Sequence, residues 1–206
     1  MRGARMAAAL AATAALVGCP IPQPLPDYAA GTAITPPRIV VDGITSGGTV
    51  VRVPAGCTTA PTFPLDAKII DVNTIEPVVA RWFVNYDPND SARYSWEKEF
   101  TILGVSVNPP VTERQVPTYT FHPYDSFPTI ENTGGGTGKN VGAVHIVELV
   151  VSNGFDPNAN DNPPSALPNR TPSPGFETQL YRWMFLTVPE SPAGCTAGDP
   201  GCVRCP

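Results

Sequence analysis

Eight short runs rich in Val, Ile, Thr and aromatic residues recur through this 206-residue chain from residue 38 onward. Such compositions favour β-strands, and no segment in that region shows a helical period of apolar residues. Turn-forming residues separate the runs, among them Asp-Pro-Asn-Asp, Gly-Gly-Gly and Asn-Pro-Pro-Ser. The runs are Arg38–Val41, Thr49–Val53, Ala67–Val72, Val78–Tyr86, Phe100–Val107, Pro117–His122, Gly142–Ser152 and Thr178–Val188. Seven or eight strands of this kind predict an antiparallel β-sandwich with long loops rich in Pro and Gly.

The run Val78–Tyr86 alternates in the manner of a strand with one buried face. Arg81 and Asn85 fall on one face, and five apolar or aromatic residues fall on the other. The apolar set is Val78, Ala80, Trp82, Val84 and Tyr86. This pattern predicts a core strand, with Trp82 buried between two sheets.

The later run Gly142–Ser152 has two faces that are both largely apolar. One face contains His145 with Ala143, Val147, Leu149 and Val151, and the other contains Val144, Ile146, Glu148 and Val150. A strand that is covered on both sides belongs in the interior of a sheet, so we expect this run to be central.

The spacing of Trp82 and the long run Gly142–Ser152 resembles the immunoglobulin-like superfold. The resemblance implies an immunoglobulin-like sandwich. The chain departs from antibody domains because Cys57 and the cysteines near the C-terminus lie outside the central runs, so the inter-sheet Cys pair is missing. A resemblance of architecture implies no particular function.

Four cysteines, Cys57, Cys195, Cys202 and Cys205, form an even set that predicts two disulfide bonds in an oxidising compartment. Three pairings are possible, and each of them joins Cys57 to the C-terminal tail. Closing so long a loop removes unfolded-state entropy worth on the order of 4 kcal/mol. The alternative interpretation is a four-thiolate zinc site that uses Cys202 and Cys205, although no second Cys-x-x-Cys accompanies them.

The first nineteen residues, MRGARMAAALAATAALVGC, combine a basic start, an uncharged Ala-rich run and a final cysteine, Cys19. The apolar run is too short to span a bilayer and has the pattern of an export signal. Its end, Leu-Val-Gly-Cys, resembles the lipobox of bacterial lipoproteins. That resemblance implies cleavage before Cys19, multiple acylation of this cysteine and anchoring to a membrane of the cell envelope. Because Pro20 is not the Asp associated with inner-membrane retention, we expect the outer membrane.

These features predict a signal peptide at 1–18, a Pro-rich tether at 19–37, a β-sandwich domain at 38–190 and a Cys-rich tail at 191–206. The formal net charge is −5, and no basic patch is present. Nucleic acid is therefore excluded as an expected partner.

A polar segment near the middle of the second half is a candidate calcium site. Asp156, Asn158, Asn160 and Asn162 place oxygen-bearing side chains at every second position, and hard cations such as Ca²⁺ prefer oxygen ligands. The segment lacks the Gly and Glu of an EF-hand loop. The alternative interpretation is a polar turn whose side chains bond their own backbone.

Four neighbouring aromatic residues, Tyr119, Phe121, Tyr124 and Phe127, are a candidate binding surface. Aromatic rings on a sheet stack on sugar rings or anchor a protein partner. The alternative interpretation is packing in the core or beneath loops, which uses the same residue types.

No set of nucleophile, base and orienting group emerges from the sequence. Ser95-Trp-Glu-Lys98 satisfies the Ser-x-x-Lys motif of penicillin-recognising enzymes, but the other elements of that family are missing. The stretch Asn132–Asn140 lacks the residues that a phosphate-binding P-loop requires. His145 and Glu148 lie an odd number of positions apart, so a regular strand directs them to opposite faces. We expect no enzyme and, apart from the candidate calcium ion, no cofactor.

The sequence favours a lipid-anchored protein that has a structural role or contacts another envelope protein. The alternative function is a ligand-binding lipoprotein that recognises carbohydrate through the aromatic residues or calcium through the segment at 156–162.

Overall fold

Eight β-strands form the structure, a computed structural model that describes residues 35–41, 50–105, 111–126, 139–158, 167–189 and 205. No helix occurs within these residues. The strands are β1 (Arg38–Val40), β2 (Val50–Pro54), β3 (Phe63–Ile70), β4 (Val78–Val84), β5 (Lys98–Ile102), β6 (Glu113–Phe121), β7 (Val144–Ser152) and β8 (Thr178–Val188). The predicted all-β class is confirmed, and each predicted run overlaps one strand.

Two strands, β3 and β6, begin four residues earlier than their apolar runs indicate. Pro64 and Pro117 lie inside them, and proline inside an apolar run argues against a central strand. Both prolines are tolerated because β1 pairs only with Lys68–Ile70 of β3, and β6 is an edge strand. An irregularity between Leu65 and Ala67 also shifts the pairing register of β3 with β6.

The strands form a three-stranded sheet in the order β1-β3-β6 and a five-stranded sheet in the order β2-β8-β7-β4-β5. The three-stranded sheet is antiparallel. In the five-stranded sheet β2 runs parallel to β8, from Val50 opposite Met184 to Pro54 opposite Val188. The prediction of a purely antiparallel fold is therefore wrong. No short hairpin connects β2 to β8, so the turn residues carried no information about the direction of this pair.

The two sheets share one apolar core in a sandwich-like arrangement. Trp82 of β4 is fully buried and stacks between Trp183 of β8 and Tyr119 of β6, with ring centroids 5.3 and 5.2 Å away. Phe185 of β8 contacts Phe121 of β6, with the ring centroids 4.6 Å apart. Rings from both sheets interleave, which confirms the predicted burial of Trp82.

The end of β4 departs from the predicted alternation at two residues. Asn85 has a φ of +55°, a left-handed conformation that Asn tolerates better than most residues. The backbone rotation at Asn85 breaks the period of two. Tyr86, expected on the core face, packs edge-on against Phe83 at 5.2 Å on the outer face. Asn85, expected on the outer face, is buried beside His145 of the core face.

Strand β7 is central in the five-stranded sheet, as its two apolar faces predicted. Val147, Leu149 and Val151 belong to the core between the sheets. On the outer face Val150 packs with Phe83 and Phe155 in a second, smaller cluster.

A disulfide joins Cys57, which follows β2, to Cys205, with the Cα atoms 5.2 Å apart. The prediction that Cys57 pairs with the tail is confirmed, and this pairing removes Cys205 from any zinc site. Cys195 and Cys202 lie outside the described residues.

Candidate functional site

A cleft of about 600 Å³ lies at the end of the sandwich where β4 and β6 finish. The end of β4 contributes Val84 and Asn85 to its lining, and the end of β6 contributes Tyr119. The segments at 90–97 and 122–126 complete the wall. Loops that follow strands of both sheets therefore line the cleft.

The loop at 87–97 forms one wall of the cleft. Hydrogen bonds between its polar side chains and its own backbone hold the loop in this conformation. Oδ1 of Asp87 accepts a hydrogen bond from the backbone N–H of Asn89, and Oδ1 of Asp90 accepts one from Ala92, each at 2.9 Å. The Glu97 N–H then donates to the Trp82 carbonyl at 2.8 Å, which returns the chain to β4. These Asx turns hold the loop without a helix or strand.

Arg81, on the outer face of β4, stabilises the wall of the cleft that contains Glu97. Its guanidinium carbon lies 4.2 Å from the ring centroid of Trp96 and 4.1 Å from that of Phe155. The Arg81 Nε donates to Glu99 at 2.6 Å, and Nη1 donates to the Asn169 carbonyl at 2.6 Å. An arginine stacked between two rings and bonded at both ends positions these loops firmly.

The cleft has an acidic lining. Asp90, Glu97 and Asp125 contribute three carboxylates, and the guanidinium of Arg93 already pairs with Asp90 at 3.2 Å between Nε and Oδ2. His122 also lines the cleft. Two carboxylates thus face the cleft beyond the pair with Arg93, which favours a cationic group over an anionic one.

Tyr119 lines the cleft beside Glu97 and stacks on Trp82 at its other side. Burial and, to a smaller extent, the negative charge of Glu97 raise the pKa of Tyr119 to about 12. Its hydroxyl therefore stays protonated at neutral pH, where it can donate a hydrogen bond to a ligand.

Behind the cleft wall, Asn85 links β4 to β7 through polar contacts. Its Oδ1 accepts from the Ile146 N–H at 2.9 Å, so its Nδ2 is the atom that donates to Nδ1 of His145, at 3.1 Å. In this arrangement Nδ1 of the buried imidazole is an acceptor and carries no proton. The contacts stabilise the wall and leave the imidazole of His145 buried behind the cleft.

A second polar cluster lies on the outer face of β7. Glu148 is buried and accepts hydrogen bonds from Arg170 and from Arg182 of β8. The guanidinium of Arg170 lies over the ring of Tyr86, 3.3 Å from its centroid, and the Tyr86 hydroxyl donates to the Pro168 carbonyl at 2.8 Å. These contacts fasten the segment at 167–170 to the sheet. They also confirm that Glu148 and His145 lie on opposite faces.

The predicted aromatic surface is divided by the structure. Phe121 is fully buried against Phe185, so the prediction that it belongs to a binding surface is wrong. Tyr124 is half-buried, and its hydroxyl donates to the Pro54 carbonyl. Tyr119 does line the cleft, and Phe127 lies outside the described residues. Tyr119 and Phe121 lie two positions apart on the core face of β6, so alternation along the strand does not distinguish them.

The predicted calcium segment is described only at its start. Oδ1 of Asp156 accepts a hydrogen bond from the Asn158 N–H at 2.9 Å, the polar turn of the alternative interpretation. Asn160 and Asn162 lie outside the described residues. Within the described ranges, no three His, Cys, Asp or Glu side chains are placed to hold a metal ion. Calcium binding at this segment stays a prediction.

The remaining sequence candidates divide between described and undescribed parts. Lys98 is the first residue of β5, so the Ser-x-x-Lys motif leads into a strand, as expected. Cys19 and most of the Gly-rich stretch at 132–140 lie outside the described residues. No helix in the part of the chain that the structure covers is long and apolar enough to cross a membrane.

The sequence alone does not predict the acidic lining of the cleft. The Asp-Pro-Asn-Asp turn containing Asp90 was recognisable as a turn, but Asp125 lies 35 residues further along the chain. Only the packing of β4 and β6 in facing sheets brings the two carboxylates to one cleft. No family model, curated protein or solved structure matches the chain.

Proposed function

We propose that this protein is a lipid-anchored interaction module of the cell envelope, and that its acidic cleft receives a basic group of another envelope protein. The observation that carries the proposal is the cleft of about 600 Å³ whose lining, among the described residues, includes three carboxylates and one arginine. A lysine or arginine side chain fits this charge, and the protonated hydroxyl of Tyr119 supplies a hydrogen-bond donor.

Anchoring rests on the N-terminal sequence, in which a basic start and an apolar run precede Cys19. We propose acylation of this sulfur and placement in the outer membrane. Mass spectrometry of protein from its native membranes tests this directly. A bare sulfur, or residues 1–18 still attached, would contradict the proposal.

The cleft is tested by nuclear magnetic resonance titration with agmatine, a small dication that ends in a guanidinium. We expect shifts of amide signals at Glu97 and Asp125, and binding that weakens roughly fivefold or more in Glu97→Gln and Asp125→Asn. Glu177→Gln is the matched control, because Glu177 is an exposed carboxylate next to the start of β8, at the far end of the sandwich.

Two results would contradict a cationic ligand. One is no shift with agmatine, and the other is equal weakening in Glu177→Gln. A neutral glycan panel tested on the same proteins examines the alternative ligand class. Binding of a glycan that survives both neutralising substitutions would favour carbohydrate recognition instead.

We further propose that the sandwich is of the immunoglobulin-like type. The sheets β1-β3-β6 and β8-β7-β4-β5 follow the strand order A-B-E and G-F-C-C′ of variable-type domains. Trp82 lies on β4, the strand that corresponds to C, where immunoglobulin domains have a buried tryptophan. An experimental structure with a different strand order would contradict this assignment.

A further inference from the structure

The three most exposed large apolar side chains of the described residues lie together at one end of the sandwich. Val72 and Ile75, 66% and 69% exposed, lie in the loop between β3 and β4, and Leu103, 73% exposed, follows β5. Val78 of β4 pairs with Ile102 of β5, so Leu103 and the β3–β4 loop leave the sheets at the same end. We call these three residues the apolar tip.

The apolar tip is held in place by backbone contacts between its two loops. The Val105 N–H donates to the Thr74 carbonyl at 2.7 Å. Gly104 approaches the Ile75 carbonyl so closely that a Cβ at that position would lie 2.2 Å from the oxygen. The apolar side chains therefore project from loops joined to each other.

A buried ion pair fixes the same loops to the sheets. Nη2 of Arg114 donates to Asp71 at 2.5 Å, and both side chains are almost fully buried. The Arg114 Nη1 donates to the Glu76 carbonyl at 2.9 Å and contacts the Leu103 carbonyl at 3.3 Å. Preorganised loops lose little conformational entropy when they bind a surface.

The described chain also enters the sandwich at the apolar tip. Arg38, the first residue of β1, pairs with Ile70, the last residue of β3, and Val72 follows two residues later. Fifteen residues, 20–34, separate Cys19 from the described chain. Fully extended they span about 50 Å, so an acylated Cys19 limits the distance of this end of the domain from a bilayer to about that length.

We propose that the apolar tip docks on the lipid bilayer to which Cys19 is anchored, with Val72, Ile75 and Leu103 inserted at the level of the headgroups. The inference rests on the proposed acylation of Cys19. Basic and acidic side chains both occur at this end of the sandwich, among them Arg38 and Glu177. The attraction to lipid therefore comes from apolar contact and not from charge of one sign. Docking directs the acidic cleft, at the opposite end, away from the membrane.

The test uses the full acylated protein, reconstituted in phosphatidylcholine vesicles with or without bromine on the acyl chains. The variant Ile75→Trp places a fluorescent reporter in the apolar tip. We expect its added emission to shift to shorter wavelength and to fall about twofold or more with brominated lipid, since interfacial apolar side chains reach the edge of the acyl region.

Val141→Trp is the matched control. Val141 is an exposed apolar residue, 56% accessible, that precedes β7 at the cleft end of the sandwich. Both substitutions replace a side chain that already contacts solvent, so both variants should fold. The emission that Val141→Trp adds should be unchanged by bromine.

Each outcome decides the inference. Selective quenching of Ile75→Trp supports it. Equal or absent quenching in vesicle-bound protein whose Cys19 carries acyl chains overturns the docking but leaves the anchor intact. A bare Cys19 sulfur and no association with vesicles overturn both proposals.

Discussion

Arg170 should contribute far more to stability than Arg182, although both bind the same carboxylate. The side chains of Glu148 and Arg170 are 5% and 8% exposed, whereas that of Arg182 is 59% exposed. Arg170 also covers the ring of Tyr86 and lies 4.5 Å from the ring centroid of Phe83. Water screens the contact of Arg182 and hardly reaches that of Arg170.

The substitution Arg170→Met keeps the length of the side chain and removes its charge. It leaves the buried Glu148 carboxylate with one solvent-exposed partner, and breaking a buried pair in this way costs about 3 kcal/mol. Arg182→Met removes an exposed partner and should cost about 1 kcal/mol or less. The predicted difference between the two variants is therefore about 2 kcal/mol.

Urea unfolding followed by tryptophan fluorescence measures both free energies of unfolding. Equal losses in the two variants would refute the argument, because burial would then not determine the strength of the contact. The double variant Arg170→Met with Glu148→Gln should be at least as stable as Arg170→Met alone, since it removes the uncompensated charge.

Three other predictions concern the disulfide, alkaline pH and the apolar tip. Cys57→Ser breaks the bond to Cys205, which spans 148 positions, and chain entropy predicts a loss of about 5 kcal/mol in the urea unfolding free energy relative to oxidised protein. Burial raises the pKa of both Tyr86 and Tyr119 to about 12 from 10 in the unfolded chain. The unfolded state then binds fewer protons between pH 10 and 12, so the free energy of unfolding measured with urea should fall as the pH rises through this range, and less steeply in Tyr119→Phe. Gly104→Ala forces a Cβ against a backbone carbonyl and should lower stability by about 1–3 kcal/mol, measured by thermal unfolding; an unchanged midpoint would contradict the close contact.

The sequence determined the elements that depend on neighbouring residues. Period-two alternation identified the core face around Trp82, and two apolar faces identified Gly142–Ser152 as a central strand. The odd spacing of His145 and Glu148 placed them on opposite faces. Two disulfides among these four cysteines would require Cys57 to pair with the tail. Each of these inferences uses local backbone geometry or a count of residues, and both can be read from the sequence without the tertiary structure.

The tertiary structure decided how distant segments meet. The parallel pairing of β2 with β8 joins strands more than a hundred residues apart, and no turn between them specifies direction. The left-handed conformation of Asn85 reverses the faces of two residues that alternation alone had assigned. The acidic cleft and the apolar tip each combine loops from both sheets. Their chemistry depends on distances between loops, and only the packing of one sheet against the other establishes those distances.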